Sequence, residues 1–93
     1  MLLFMRGINI TSESFEERAL REEMLSCLKE AEYYEKLAKE FHSKTCLDYG
    51  QKMLKRFYLL SETEKGSQIL ATTLFEKRGD LYEAILRHER KDN

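Results

Sequence analysis

The chain contains no proline, and its glycines number four among 93 residues: Gly7, Gly50, Gly66 and Gly79. With no proline, nothing locks φ or removes a backbone donor inside an element. So few breakers favour long uninterrupted helices over a turn-rich sheet. The scattered glycines also build no loop that could cradle a phosphate. Cysteine is nearly absent too. Cys27 and Cys46 are too few for a disulfide framework, and a reducing, cytoplasmic setting is the expectation. The formal net charge of −1 gives no bulk electrostatic case for nucleic acid. Residues 1–5 are apolar, but no basic stretch precedes them and Arg6 ends the run far short of a membrane span. Neither a secretory leader nor a membrane partner is expected.

What is present is a folding composition: 42% hydrophobic, 35% charged and 11% aromatic residues. The length makes one domain over residues 1–93. A chain of this size buries roughly 60–65% of the surface its unfolded form exposes, so the core is modest. Residues 1–13 read as an apolar N-terminal arm that either frays or docks on the helices or a neighbour.

The dominant pattern is a helical stripe. Leu20, Met24, Cys27, Ala31, Tyr34, Ala38 and Phe41 alternate steps of four and three through three heptads. The spacing predicts one helix from residue 15 to about 43. Ser14 and Glu17 fit a capping box at its start, and Glu16 and Glu17 suit the positive end of its dipole. Glu17–Arg21, Glu32–Lys36, Glu35–Lys39 and Glu40–Lys44 are acid-before-base pairs four apart, each worth about 0.2–0.5 kcal/mol on an exposed face.

The heptad phase breaks after Phe41. A turn is expected at residues 43–45, with Thr45 and Asp48 as the next cap; a bent continuous helix is the alternative. The second helix, 46–60, is expected to bury Cys46, Gly50, Met53, Leu54, Phe57 and Leu60. Gly50 costs it about 1 kcal/mol against alanine, which a close approach by another helix offsets. Ser61 and Glu64 form the next capping pattern. A third helix follows with Ile69, Leu70, Thr73 and Leu74, ending at Gly79 in the left-handed conformation. Asp80 then caps a fourth helix carrying Leu81, Ala84, Ile85 and His88. The fold class is therefore all-α: a three- or four-helix up-and-down bundle built on the long N-terminal helix.

A self-comparison at an offset of 34 residues pairs Ala38 with Thr72, Phe41 with Phe75, Leu47 with Leu81 and Gly50 with Ala84. That offset and the run from Phe75 through Gly79 to Ala84 resemble the helix–turn–helix corner of tetratricopeptide repeats. Tyr34, Leu37, Ala38 and Phe41 are similar to the signature of that repeat's first helix. The resemblance covers about residues 31–91. Thr45 stands in place of the turn glycine of the first copy, Gln68 in place of a large apolar residue of the second, and no proline closes either unit. The three-helix microtubule-interacting and trafficking domain resembles the chain about as well. Either resemblance implies a peptide-binding module and no catalysis.

Chemistry is thinly represented. A carboxylate-bridged metal pair in a bundle needs Glu-x-x-His, but Lys39 stands three before His42 and Ile85 three before His88. His42 and Cys46, four apart, are the one pair that a single helix could aim at a metal or use as base and thiol; neither role has further support, so no metal, cofactor or catalytic residue is expected. Charge is uneven. Residues 11–40 hold nine acidic and five basic side chains; residues 41–60 hold one acidic and four basic. Tyr49, Lys52, Lys55 and Arg56 form an aromatic-and-basic face on the second helix. The ordinary reading is a solvated face, and the functional one is a grip on an acidic peptide or a nucleic acid.

The expected role is a non-enzymatic protein-interaction or assembly module, with an unidentified protein or peptide as partner. The alternative is a small regulator binding nucleic acid through Tyr49, Lys52, Lys55 and Arg56. Self-association is a further expectation. A second helix of about 15 residues spans only about 22 Å, which leaves the stripe uncovered at Leu20, Met24 and Cys27. A homodimer through those residues and the arm would cover it, unless helices three and four fold back to do so.

Overall fold

The computed structural model describes residues 14–91, so the N-terminal arm and its docking lie outside the described residues. Four helices account for the described chain: α1 Phe15–Phe41, α2 Lys44–Ser61, α3 Glu64–Glu76 and α4 Asp80–Lys91. No strand occurs among the described residues. The chain is an all-α bundle.

Helix α1 starts where local chemistry places it. The Ser14 hydroxyl accepts from the Glu17 amide at 3.0 Å, and the Glu17 carboxylate accepts from the Ser14 amide at 3.1 Å, so two orphan donors are satisfied reciprocally. It ends two residues before the expected residue 43. His42 takes the left-handed conformation with φ 51°, a state that costs a non-glycine residue about 1–2 kcal/mol. The Ser43 amide then reaches back to the Ala38 carbonyl at 3.0 Å, closing the last turn.

The connection to α2 is therefore only His42 and Ser43. Ser43, not Thr45, caps α2: its hydroxyl accepts from the Cys46 amide at 3.2 Å. The tight link sends α2 antiparallel along α1, as the cross-pairs Glu30–Tyr49 and Glu23–Arg56 show. Gly50 sits at the closest crossing. A Cβ there would lie 3.3 Å from the Ala31 carbonyl oxygen and 3.4 Å from the Tyr34 Cβ, so the expected close approach of another helix is met by α1.

At the next corner the cap is Thr63 and not Ser61. Thr63 accepts from the Gly66 amide at 3.0 Å, while the Ser61 hydroxyl donates back into α2, to the Phe57 carbonyl at 2.8 Å. A Cβ at Gly66 would run into the Leu60 carbonyl, so the α2–α3 corner requires glycine. Helix α3 stops at Glu76, because Lys77 rather than Gly79 takes its left-handed terminal position with φ 56°. Gly79 does carry a positive φ of 101°, but it belongs to the start of α4: its carbonyl accepts from the Glu83 amide at 3.1 Å. Asp80 is then a residue of the first turn, beside Glu83, where both carboxylates suit the dipole.

The core lies at one end of α1. Met24, Cys27 and Leu28 meet Phe57 of α2, Ile69 of α3, and Leu81, Ala84 and Ile85 of α4; Leu20, Leu25, Leu54, Leu60 and Leu70 pack against this cluster. Phe41, the last residue of the predicted stripe, is 68% exposed. Among the described residues only α2 runs beside this end of α1, because α3 and α4 pack farther toward its start, α4 reaching Glu32 through Arg87.

Candidate partner-binding face

Three glutamates seven residues apart tie α1 to its neighbours. Glu16 meets Lys65 of α3 at 3.0 Å, Glu23 meets Arg56 of α2 at 2.9 Å, and Glu30 accepts from the Tyr49 hydroxyl at 3.5 Å. On the other flank Glu32 pairs with Arg87 of α4 at 3.1 Å, and not with Lys36 one turn along. Exposed pairs of this kind contribute about 0–1 kcal/mol each, so they set register more than stability. The hydrogen bond that Lys65 donates to Glu16 raises the Lys65 pKa, and the one that Arg56 donates to Glu23 raises that of Arg56. The Glu30 charge raises the pKa of the Tyr49 phenol.

These contacts divide the basic face on α2. Arg56 is committed to Glu23, and Tyr49 leans edge-on against Tyr34, centroids 4.6 Å apart, with Tyr33 a further 5.1 Å beyond. Lys52 and Lys55 are exposed and enter no ion pair among the described residues. Tyr49, Lys52, Lys55 and Arg56 thus offer two unpaired cations rather than three.

The apolar end of the stripe is covered within the chain. Met24 is fully buried, Cys27 is 2% exposed and Leu20 is half-buried, because α3 and α4 fold back onto that end. Met24 and Cys27 therefore present nothing to a second copy, and the shortage of cover that motivated a dimer through Leu20, Met24 and Cys27 does not arise. Burial raises the pKa of the Cys27 thiol, with Glu23 adding to the effect. Both cysteines are free. His42 lies in the turn and Cys46 inside α2, so the two do not share a helix. Among the described residues no group of three or more His, Cys, Asp or Glu could hold a metal ion, and no helix is long and apolar enough to cross a membrane.

Part of the uncovered apolar surface lies instead near the tip that α1 and α2 form. Phe41 is 68% exposed, Tyr33 57%, Tyr49 39% and Leu47 38%, all within about two turns of the tip on one helix or the other. On the side shared with α4, the groove between α1 and α2 holds a notch of about 30 Å³ that Ala84 and His88 help to line. That volume is far below the roughly 300–1,000 Å³ of small-molecule sites. Other exposed apolar side chains are Phe15 at the start of α1, Tyr58 and Leu59 near the end of α2, and Leu74 and Phe75 at the end of α3. Phe41 and Leu47 were not foreseen as surface, since nothing in the pattern of α1 or α2 marks how far α4 reaches along them.

No family model matches the chain, and no curated protein or solved structure matches it significantly.

Proposed function

We propose that the chain is a non-enzymatic protein-interaction module whose contact surface is the free half of the α1/α2 hairpin. One observation carries the reading: the core closes around the first part of α1, while Tyr33, Phe41, Leu47 and Tyr49 stay exposed on either side of the hairpin near its tip. Four large apolar or aromatic side chains exposed so near one another along a small domain support a contact surface there. Free thiols at Cys27 and Cys46 accord with a reducing, cytoplasmic setting.

Affinity capture from native lysate, with mass spectrometry, tests the proposal. Wild type should retain specific proteins that a Phe41→Ser/Leu47→Ser double variant loses while keeping the wild-type melting curve. An unchanged set of captured proteins would overturn it. The second reading, nucleic-acid binding through Tyr49, Lys52, Lys55 and Arg56, is supported only by Lys52 and Lys55 as unpaired cations. It calls for binding that weakens steeply with salt.

A further inference from the structure

Helix α3 differs from its neighbours in what it turns to the solvent. Gly66, Ile69 and Thr73 are buried, and Leu70 is half-buried. On the other side Ser67, Gln68, Ala71, Thr72, Leu74 and Phe75 are exposed, Leu74 by 42% and Phe75 by 85%. Gln68, Ala71, Thr72 and Phe75 stand at i, i+3, i+4 and i+7, so they form one continuous stripe. A surface helix ordinarily presents charged groups on that side. Residues 66–75 contain none, in a chain that is 35% charged. Charge returns only at the ends, with Glu64 and Lys65 before the stripe and Glu76, Lys77 and Arg78 after it.

One other long stretch of the chain is as poor in charge. Residues 1–12 carry a single charged side chain, Arg6, and hold Leu2, Leu3, Phe4, Met5, Ile8 and Ile10. They lie outside the described residues, but the place where they join α1 is defined. Ser14 caps that helix, and the Glu16–Lys65 pair at 3.0 Å holds its first turn beside the start of α3. The exposed stripe begins two residues after Lys65. From Ser67 to Phe75 it runs about 12 Å, at 1.5 Å per residue. Twelve extended residues span up to about 40 Å, so the segment reaches every part of the stripe.

We propose that residues 1–12 dock along the exposed stripe of α3, with apolar side chains of that segment over Ala71, Leu74 and Phe75. A second copy of the chain fits the stripe less well. A single helix face about 12 Å long and about 10 Å wide is far smaller than the roughly 800 Å² per partner of a stable interface. A tethered segment needs no such area, because its attachment at Ser14 gives it a high effective concentration. The contact lies apart from the hairpin tip, so the contact surface proposed there neither requires it nor is lost with it.

The chain contains no tryptophan, so Phe4→Trp places a single fluorescent reporter in the segment. In the full chain its emission should be blue-shifted from that of tryptophan in water, and acrylamide should quench it several-fold less. Adding Phe75→Glu should return both readings to their solvent values while circular dichroism shows the helices intact, because Phe75 is exposed. Ala71→Arg, on the same stripe, should do the same. Phe41→Glu, at the far end of α1, should leave the reporter shielded. Solvent-like emission in the full chain overturns the inference. Shielding that survives both Phe75→Glu and Ala71→Arg overturns it too, since the segment would then be seated elsewhere. Loss of shielding in Phe41→Glu would seat it at the tip, and shielding that fades on dilution would seat it on a neighbouring copy; either result overturns the docking on α3.

Discussion

One helix runs through two different environments. Along its first half α1 is surrounded by α2, α3 and α4, and Met24 is fully buried. Along its last two turns it has, among the described residues, only α2 for company, and Phe41 is 68% exposed. Both residues lie on the same predicted stripe. The contrast teaches that periodicity chooses which face of a helix is apolar, while the number of helices packed there decides whether that face is buried. Two helices can cover only the strip between them. Ala38 and Gly50 lie in that strip and are buried; Phe41 and Leu47 flank it and are not.

The sharpest way to break the comparison is to remove a side chain from the closed half. Met24→Ala deletes the most buried side chain where all four helices meet, and should cost about 2–5 kcal/mol in transfer and cavity terms. Urea denaturation followed by circular dichroism reads it. A loss below about 1 kcal/mol would mean that this end is not a packed core, and the distinction between the halves would fail.

Next in size is the corner that brings α3 back to the core. Gly66→Ala forces a methyl group against the Leu60 carbonyl, which is backbone and cannot swing aside. Alanine's better helix propensity offers about 1 kcal/mol in return. The clash should exceed it, for a net loss of about 1–3 kcal/mol, the usual range for overpacking. A neutral or stabilised variant would show that α3 docks at another angle, with Met24 covered differently.

How much of this was legible depended on how locally each feature is decided. Ser14 and Glu17 satisfy each other, so their capping box could be read directly. The close approach at Gly50 was legible because a glycine inside a helix needs a compensating contact. At the α2–α3 corner, Ser61 and Thr63 are both good caps. The choice fell to Thr63 because Ser61 is still the last residue of α2, its hydroxyl turned back to the Phe57 carbonyl, and where α2 stops is not decided locally. Glu32 had a sequence-near partner in Lys36 and took Arg87, 55 residues away, once α4 lay beside it. The candidate site was the least legible part. Tyr49, Lys52, Lys55 and Arg56 share a helix, but α1 claims Tyr49 and Arg56. Phe41 looked like core because its heptad position was right, and no pattern within α1 shows where α4 ends.

The smallest expected effect tests the open half. Phe41 ends α1 with most of its ring in water, so Phe41→Ser removes little buried area. It should shift stability by no more than about 0.5 kcal/mol, as for surface substitutions away from caps and cores. Serine is a poorer helix former than the best residues, but Phe41 is terminal and phenylalanine ranks close to serine, so propensity adds little. The adjacent left-handed turn at His42 keeps its hydrogen bond to the Ala38 carbonyl, because that bond is backbone only. The midpoint of urea unfolding for the isolated protein should therefore stay at the wild-type value. A loss above about 1.5 kcal/mol at micromolar protein would place Phe41 in a packed interface. If that loss shrank on dilution, the interface would lie between copies, and the second half of α1 would be as well covered as the first.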